Sequence, residues 1–196
     1  MTEFILASAS PRRKELLEIM GLRFEVLVSD ADESAVKKDI PVNLYVQELA
    51  LLKASATAKP VLKNKNAVII AADTIVTLDG EILGKPKDED DARRILKSLS
   101  GRAHEVYTGY CVMRIRDGKT VCSAVRTEVV FKPLTDTQID RYIASGEPMD
   151  KAGAYGIQGL GSMLVRKING DYFNVVGLPV SALSDTLVDE FDIEIL

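Results

Sequence analysis

The segment Ser8-Ala9-Ser10-Pro11-Arg12-Arg13-Lys14 sets three cations directly after a serine and a proline. Ser10 is a natural helix N-cap and Pro11 a natural first helical residue. Arg12, Arg13 and Lys14 then fall in the first turn, where the helix dipole disfavours each cation by ~0.3–1 kcal/mol. An anion at that end would resolve the conflict. Free backbone N–H groups, a serine hydroxyl and arginine forks would form a phosphate cradle. A solvated basic helix start explains the same residues, because exposed charges cost little.

Two acidic places stand apart from it. Ser29-Asp30-Ala31-Asp32-Glu33-Ser34 carries three carboxylates that could supply a ligand for a hard cation, or could be a solvated acidic loop. Asp73 ends the apolar run Ala67 to Ala72, the place where open α/β sheets put ligand-binding groups. Its carboxylate could hold Mg²⁺, take a proton from water, or both. A turn-initiating Asp is the plainer alternative, but Thr74-Ile75-Val76 continues as strand. Leu83-Gly84-Lys85-Pro86 would bring a lysine to the same edge. Gly84-Lys85 is no P-loop, since the earlier glycine and the following Ser or Thr are missing.

The stretch from Glu147 to Gly159 is rich in glycine and contains Gln158. An amide that both donates and accepts suits the imide edge of thymine or uracil. A long turn with capping glycines is the alternative. His104, a lone histidine beside a strand, is expected to be packed rather than catalytic. Cys111 and Cys122 flank Asp117-Gly118. A two-residue loop there would set Cys111 across from Ala124, so no disulfide is expected. Two cysteines and one histidine also fall short of a structural zinc site.

The elements that must carry these groups follow from periodicity. Strands are predicted at Phe4 to Ala7, Phe24 to Val28, Ala67 to Ala72 (leading through Asp73-Thr74 into Ile75 to Leu78) and Glu81 to Leu83. Long antiparallel strands are predicted at Glu105 to Ile115 and Thr120 to Phe131, then two short strands after the glycine-rich stretch. Helices are predicted at Pro11 to Met20, Val42 to Ala58 (stopped before Pro60), Asp88 to Leu99, Thr135 to Ala144 and from about Val180. Strands interleaved with helices give an α/β class with a mixed sheet.

The chain has 196 residues, enough for one domain with a core, with room for two lobes around a cleft. Its 46% hydrophobic content is that of a globular protein. Net charge is -4, so no basic surplus exists for nucleic acid, and any polyanion bound must be small, such as one triphosphate. No apolar run has the length of a membrane span, and the start does not read as a secretion signal, so a cytoplasmic protein is expected.

Six blocks, LASASPRRKELL, AADTIV, LGKP, LSGRAHEVYTG, EPMDKAGAYGIQGLG and NGDYFNVVGLP, run in order from Leu6 to Pro179. Together they closely resemble the Maf family of nucleotide pyrophosphatases, also called septum-formation inhibitor proteins. The resemblance implies a single domain over residues 1–196: a long twisted mixed sheet with flanking helices and two lobes around a cleft, like inosine triphosphate pyrophosphatases. It implies a cytoplasmic homodimer that uses Mg²⁺ or Mn²⁺ to split nucleoside triphosphates between the α and β phosphates.

By position, Asp73 matches the family's proton acceptor. Ser8, Arg13, Glu33, Lys53 and Lys85 match phosphate- or metal-holding positions, with Asp73 and Glu33 on the metal. Arg12, Thr74 and Gln158 match positions tied to base choice, and PRR, ADT and YGIQG resemble the dTTP/UTP branch. Two alternatives remain: a nucleotide-binding regulator of septum formation with little catalysis, and an enzyme that removes non-canonical purine nucleotides.

Overall fold

The computed structural model describes residues 2–195. The chain begins with β1 (Glu3–Leu6), α1 (Pro11–Ile19), β2 (Phe24–Val26) and α2 (Val42–Val61). The long strand β3 (Ala67–Leu78), β4 (Glu81–Leu83), α3 (Glu89–Leu99), β5 (Ala103–Arg114) and β6 (Thr120–Phe131) follow. After α4 (Asp136–Ala144) come several 3₁₀ turns, then β7 (Val165–Asn169), α5 (Tyr172–Val176) and α6 (Val180–Phe191). Strands pair in the order β2-β1-β3-β5-β6-β7, with β4 joined to β3. β1 runs parallel to β2 and β3, whereas β3–β4 and β6–β7 are antiparallel. The mixed α/β sheet expected from the sequence is therefore present.

The chain divides into two compact units. The first holds the chain up to Asp73, Thr108–Val125 and the chain from Gly177 on; the second holds Thr74–Tyr107 and Arg126–Val176.

In the first unit, strand alternation decides what faces what. Ile5, Ala7, Ala67, Ile69, Ala71 and Cys111 form one core with Ala50, Ala54 and Ala58 of α2. The opposite parity carries Tyr110, whose hydroxyl reaches the Ala182 carbonyl of α6 at 3.0 Å. The α2 side is built from small residues, so helix and strand approach closely. A Cβ on Gly109 would stand 2.3 Å from the carbonyl carbon and oxygen of Val46, so β5 can pass beneath α2 there only as glycine.

The second unit is organised by local capping. Asp79 (φ 53°) and Gly80 (φ 83°) make the tight turn between β3 and β4. Asp88 accepts from Asp91 N–H at 2.8 Å to start α3, which buries Ala92, Ile95, Leu96 and Leu99. Thr135 and Gln138 form a reciprocal capping box on α4. His104 is buried edge-on against Phe131 and Tyr155, with Nε2 2.8 Å from the Tyr155 hydroxyl. Burial pushes its pKa down to about 4, so the ring is neutral and packed, as expected.

Three local expectations are corrected. α2 does not stop before Pro60 but runs to Val61, with Pro60 in its last turn. There the proline interrupts the helix just where it is ending, and Ala54 and Ala58 bind the preceding turns to the core. The second short strand after the glycine-rich stretch is instead α5. The Asp171 carboxylate accepts from Phe173 N–H at 2.8 Å, and this local bond outweighs the strand preference of Tyr, Phe and Val.

The β5–β6 connection is also longer than a two-residue loop. Arg114 N–H donates to the Lys119 carbonyl and Gly118 N–H to the Arg114 carbonyl, so the register closes at Arg114 and Lys119. Counting back equally along both strands sets Cys111 across from Cys122. Both cysteines are free. No helix among the described residues is long and apolar enough to cross a membrane.

Candidate active site

The start of α1 forms as its sequence dictates. Ser10 caps the helix through a long bond, 3.5 Å, from Arg13 N–H, and Pro11 opens it. Arg13 does not wave into solvent. Its Nε donates to the Gly177 carbonyl at 2.9 Å and its terminal nitrogen donates to Ser8 Oγ at 3.1 Å. Ser8 Oγ also accepts from Ser10 N–H at 3.2 Å. Burial lowers the Arg13 pKa, the Asp73 charge opposes that shift, Arg12 adds to it and Glu33 opposes it. A guanidinium keeps its charge under such shifts. Arg13 is thus a desolvated, oriented cation within the field of both carboxylates, which a merely solvated helix start would not be.

The acidic half is placed by parity and helical period. Asp73 shares the parity of Ala67, Ile69 and Ala71, so it emerges on the α2 side of β3. Lys53 lies about two turns along α2 from Val46, the residue pressed on Gly109. The two meet: Lys53 Nζ stands 2.5 Å from Asp73 Oδ1 and 2.9 Å from Glu33 Oε1. The Lys53 and Asp73 side chains are 14% and 15% exposed, against 55% for Glu33, so the Asp73 arm is the less screened. Glu33 opens a short 3₁₀ turn capped by Asp32, which accepts from Ser34 N–H at 3.0 Å.

Two carboxylates are what this site offers a divalent cation. Among the described residues, no cluster of three or more His, Cys, Asp or Glu side chains could enclose a metal. Mg²⁺ commonly takes one or two carboxylates and completes its shell with water and substrate phosphates. Asp73 and Glu33 therefore fit a cation shared with a phosphate ligand, not one held by protein alone. In the structure the Lys53 ammonium stands between the two carboxylates.

Of the residues singled out from sequence, the first unit brings together Ser8, Arg13, Glu33, Lys53 and Asp73, with Arg12 half-buried beside Arg13 on α1. The other three belong to the second unit. Thr74 follows Asp73 on β3. Lys85 is exposed just after β4, where the Gly84 carbonyl accepts from Gly153 N–H at 3.1 Å. Gln158 is exposed at the start of the 3₁₀ turn Gly159–Leu164.

Two site residues escaped the sequence reading. Tyr45, buried on α2, has its hydroxyl pKa raised by burial, then by Asp73 and by Glu33, so its hydroxyl lies within the field of the acid pair. Its spacing from Lys53, about two turns, was the available signal. Gly177 anchors Arg13 through its carbonyl, a backbone role that residue type cannot advertise.

Fold and site together define an α/β protein with a lysine-bridged carboxylate pair and a hydrogen-bonded arginine in its first unit. The profile of the Maf-like protein family matches residues 3–190, and the chain belongs to that family. A dTTP/UTP pyrophosphatase of Alkaliphilus metalliredigens (strain QYMF) is 52% identical over 196 residues, covering 100% of both chains. One from Thermoanaerobacter sp. (strain X514) is 49% identical over 194 residues, covering 99% of this chain and 100% of that one. One from Bacillus cereus (strain B4264) is 50% identical over 195 residues, covering 100% of this chain and 98% of that one. A HAM1 protein from Coxiella burnetii aligns at a TM-score of 0.45 with 18% identity, over 67% of this chain and 73% of that chain.

Proposed function

We propose that this protein hydrolyses nucleoside triphosphates, dTTP and UTP foremost, to the monophosphate and pyrophosphate. The observation that carries the reading is the Lys53-bridged pair Asp73 and Glu33 beside the desolvated Arg13, in a chain about half identical over its whole length to dTTP/UTP pyrophosphatases.

The chemistry follows from the residues. The Arg12 and Arg13 side chains at the start of α1 hold phosphate oxygens, with Ser8 fixing the Arg13 fork. Asp73 takes the proton of a water whose oxygen attacks the α-phosphorus. The bond from the α-phosphorus to the bridging oxygen breaks, and pyrophosphate departs. Lys53 exchanges its carboxylate partners for phosphate as the anion enters, and with Arg13 it compensates charge on the leaving group.

Asp73 and Glu33 would hold a divalent cation, Mg²⁺ or Mn²⁺, which when bound neutralises phosphate charge and lowers the pKa of water. Lys85 is assigned to the leaving group, and Thr74 and Gln158 to the base, on their motifs. The proposal includes the cytoplasmic homodimer that the resemblance implies; sedimentation velocity tests the dimer.

Hydrolysis of dTTP in ¹⁸O-labelled water with Mg²⁺ tests the bond cleaved. The label is expected in dTMP, with unlabelled pyrophosphate as the other product. Label in pyrophosphate, or orthophosphate formed directly, overturns the assignment.

A further inference from the structure

The segment that carries Gln158 is tied down on both sides of it by one acid and one phenol. Glu147, half-buried at the start of the 3₁₀ turn Glu147–Asp150, accepts through Oε2 from Leu160 N–H at 3.0 Å. Its Oε1 accepts from Gly161 N–H at 2.9 Å and from the Tyr142 hydroxyl at 3.0 Å. The Tyr142 oxygen in turn accepts from Gly156 N–H at 3.1 Å. Two residues before Gln158 and two and three residues after it, the backbone thus hangs from the same hydrogen-bonded pair.

The glycines make this wrapping feasible. Gly159 has φ +65°, and a Cβ there would lie 2.8 Å from Glu147 Oε2. A Cβ on Gly161 would lie 2.1 Å from the Gly156 carbonyl oxygen and 2.7 Å from the Tyr142 hydroxyl. The chain therefore closes around the carboxylate with no room for side chains on its inner side. Burial raises the Glu147 pKa, but the Gly161 and Leu160 amides and the Tyr142 hydroxyl more than offset it, leaving it below the ordinary value. The carboxylate is accordingly ionised, and its bonds are charge-assisted. Gln158 itself is exposed and does not cap the turn that it opens.

We infer that Glu147, through Tyr142 and the glycine-rich turn, is a positioning residue that fixes where the Gln158 amide meets the nucleobase and so sets base preference. The inference rests on the reading of Gln158 as the base reader. A base edge is discriminated only if the donor and acceptor that meet it are held within a few tenths of an ångström, which a glycine-rich segment cannot do unaided. Glu147 supplies the missing rigidity from outside the segment, and no side chain within the turn has to.

The test measures kcat/KM for UTP and CTP on the parent protein and on Glu147→Gln, Tyr142→Phe and Gln158→Glu. Glu147→Gln keeps size but turns an amide donor toward one of the two N–H donors, freeing one side of the turn. Tyr142→Phe deletes only the hydroxyl, and it serves where Glu147→Gln does not fold. Both are expected to lower the UTP/CTP ratio about tenfold, mostly through KM for UTP, with kcat for CTP nearly unchanged. A purely structural role would lower both substrates together. A ratio unmoved in folded Glu147→Gln and Tyr142→Phe, while Gln158→Glu shifts it, overturns the inference and leaves the Gln158 reading intact. A ratio unmoved in Gln158→Glu overturns that reading, and this inference with it.

Discussion

Lys53 Nζ bridges Asp73 Oδ1, at 2.5 Å, and Glu33 Oε1, at 2.9 Å, so one ammonium compensates the two carboxylates assigned to metal binding and proton transfer. Neither carboxylate is idle without substrate, and neither is desolvated unpaired. The cost of placing Asp73 midway along β3, directly after its fully buried stretch, is offset locally by the Lys53 ammonium.

Removing that ammonium should expose the conflict it resolves. Lys53→Met is expected to lower kcat/KM at least tenfold and to destabilise the fold near neutral pH. Adding Asp73→Asn should return part of the stability. The coupling between the two changes is expected to be about 0.5–3 kcal/mol, the range for residues in direct contact. Urea unfolding of the parent, both single variants and the double variant gives the number; strict additivity would mean that the contact contributes nothing.

The position of Lys53 depends on Gly109. A Cβ there would collide with the Val46 backbone, which cannot move without carrying α2 along. Gly109→Ala is expected to cost about 1–3 kcal/mol or more, as overpacking of rigid backbone does. It should also lower turnover by shifting Lys53 from Asp73. Thermal unfolding and a dTTP assay check both effects, and a variant unchanged in both would show that α2 is not fixed there.

His104 gives the stability a defined pH dependence. Its folded pKa is about 4, lowered by burial from the ordinary 6.5, so the unfolded chain takes up a proton before the folded one does. Its contribution is complete above pH 6.5 and is lost progressively as pH falls toward 4. Between pH 7 and pH 5 the parent should lose about 2 kcal/mol more than His104→Gln, taking 1.4 kcal/mol per unit. Denaturant unfolding at the two pH values measures this, and equal losses in both proteins would mean that the buried ring is not the source.

What was legible in the sequence was what alternation, capping and charge conflict can encode. Asp73 at the end of an apolar run, Ser10-Pro11 before three cations, and Thr135 at the start of the helix to Ala144 each announced their place. The Cys111–Cys122 juxtaposition was missed because loop length, not strand pattern, sets hairpin register, and Asp117-Gly118 suggested a shorter loop than the chain adopts. α5 was missed because Tyr-Phe-Asn-Val-Val has strand-forming residues, while one Asp171 bond and the buried Asn174, which donates to the Val106 carbonyl at 3.1 Å, decide for a helical turn. The Gly177 carbonyl on Arg13 and the Glu147 carboxylate under the glycines were out of reach, because each depends on chain segments meeting far from their sequence neighbours.

The most direct measurement is pyrophosphate release from dTTP by Asp73→Asn, with circular dichroism and thermal unfolding to establish that the variant is folded. The substitution keeps shape and hydrogen-bonding capacity but removes the negative charge that would hold the cation and take the proton. The account predicts a folded protein whose kcat falls by about two orders of magnitude or more. A folded variant with near-parental turnover would contradict it, and would move the proton acceptor away from the Lys53-bridged pair.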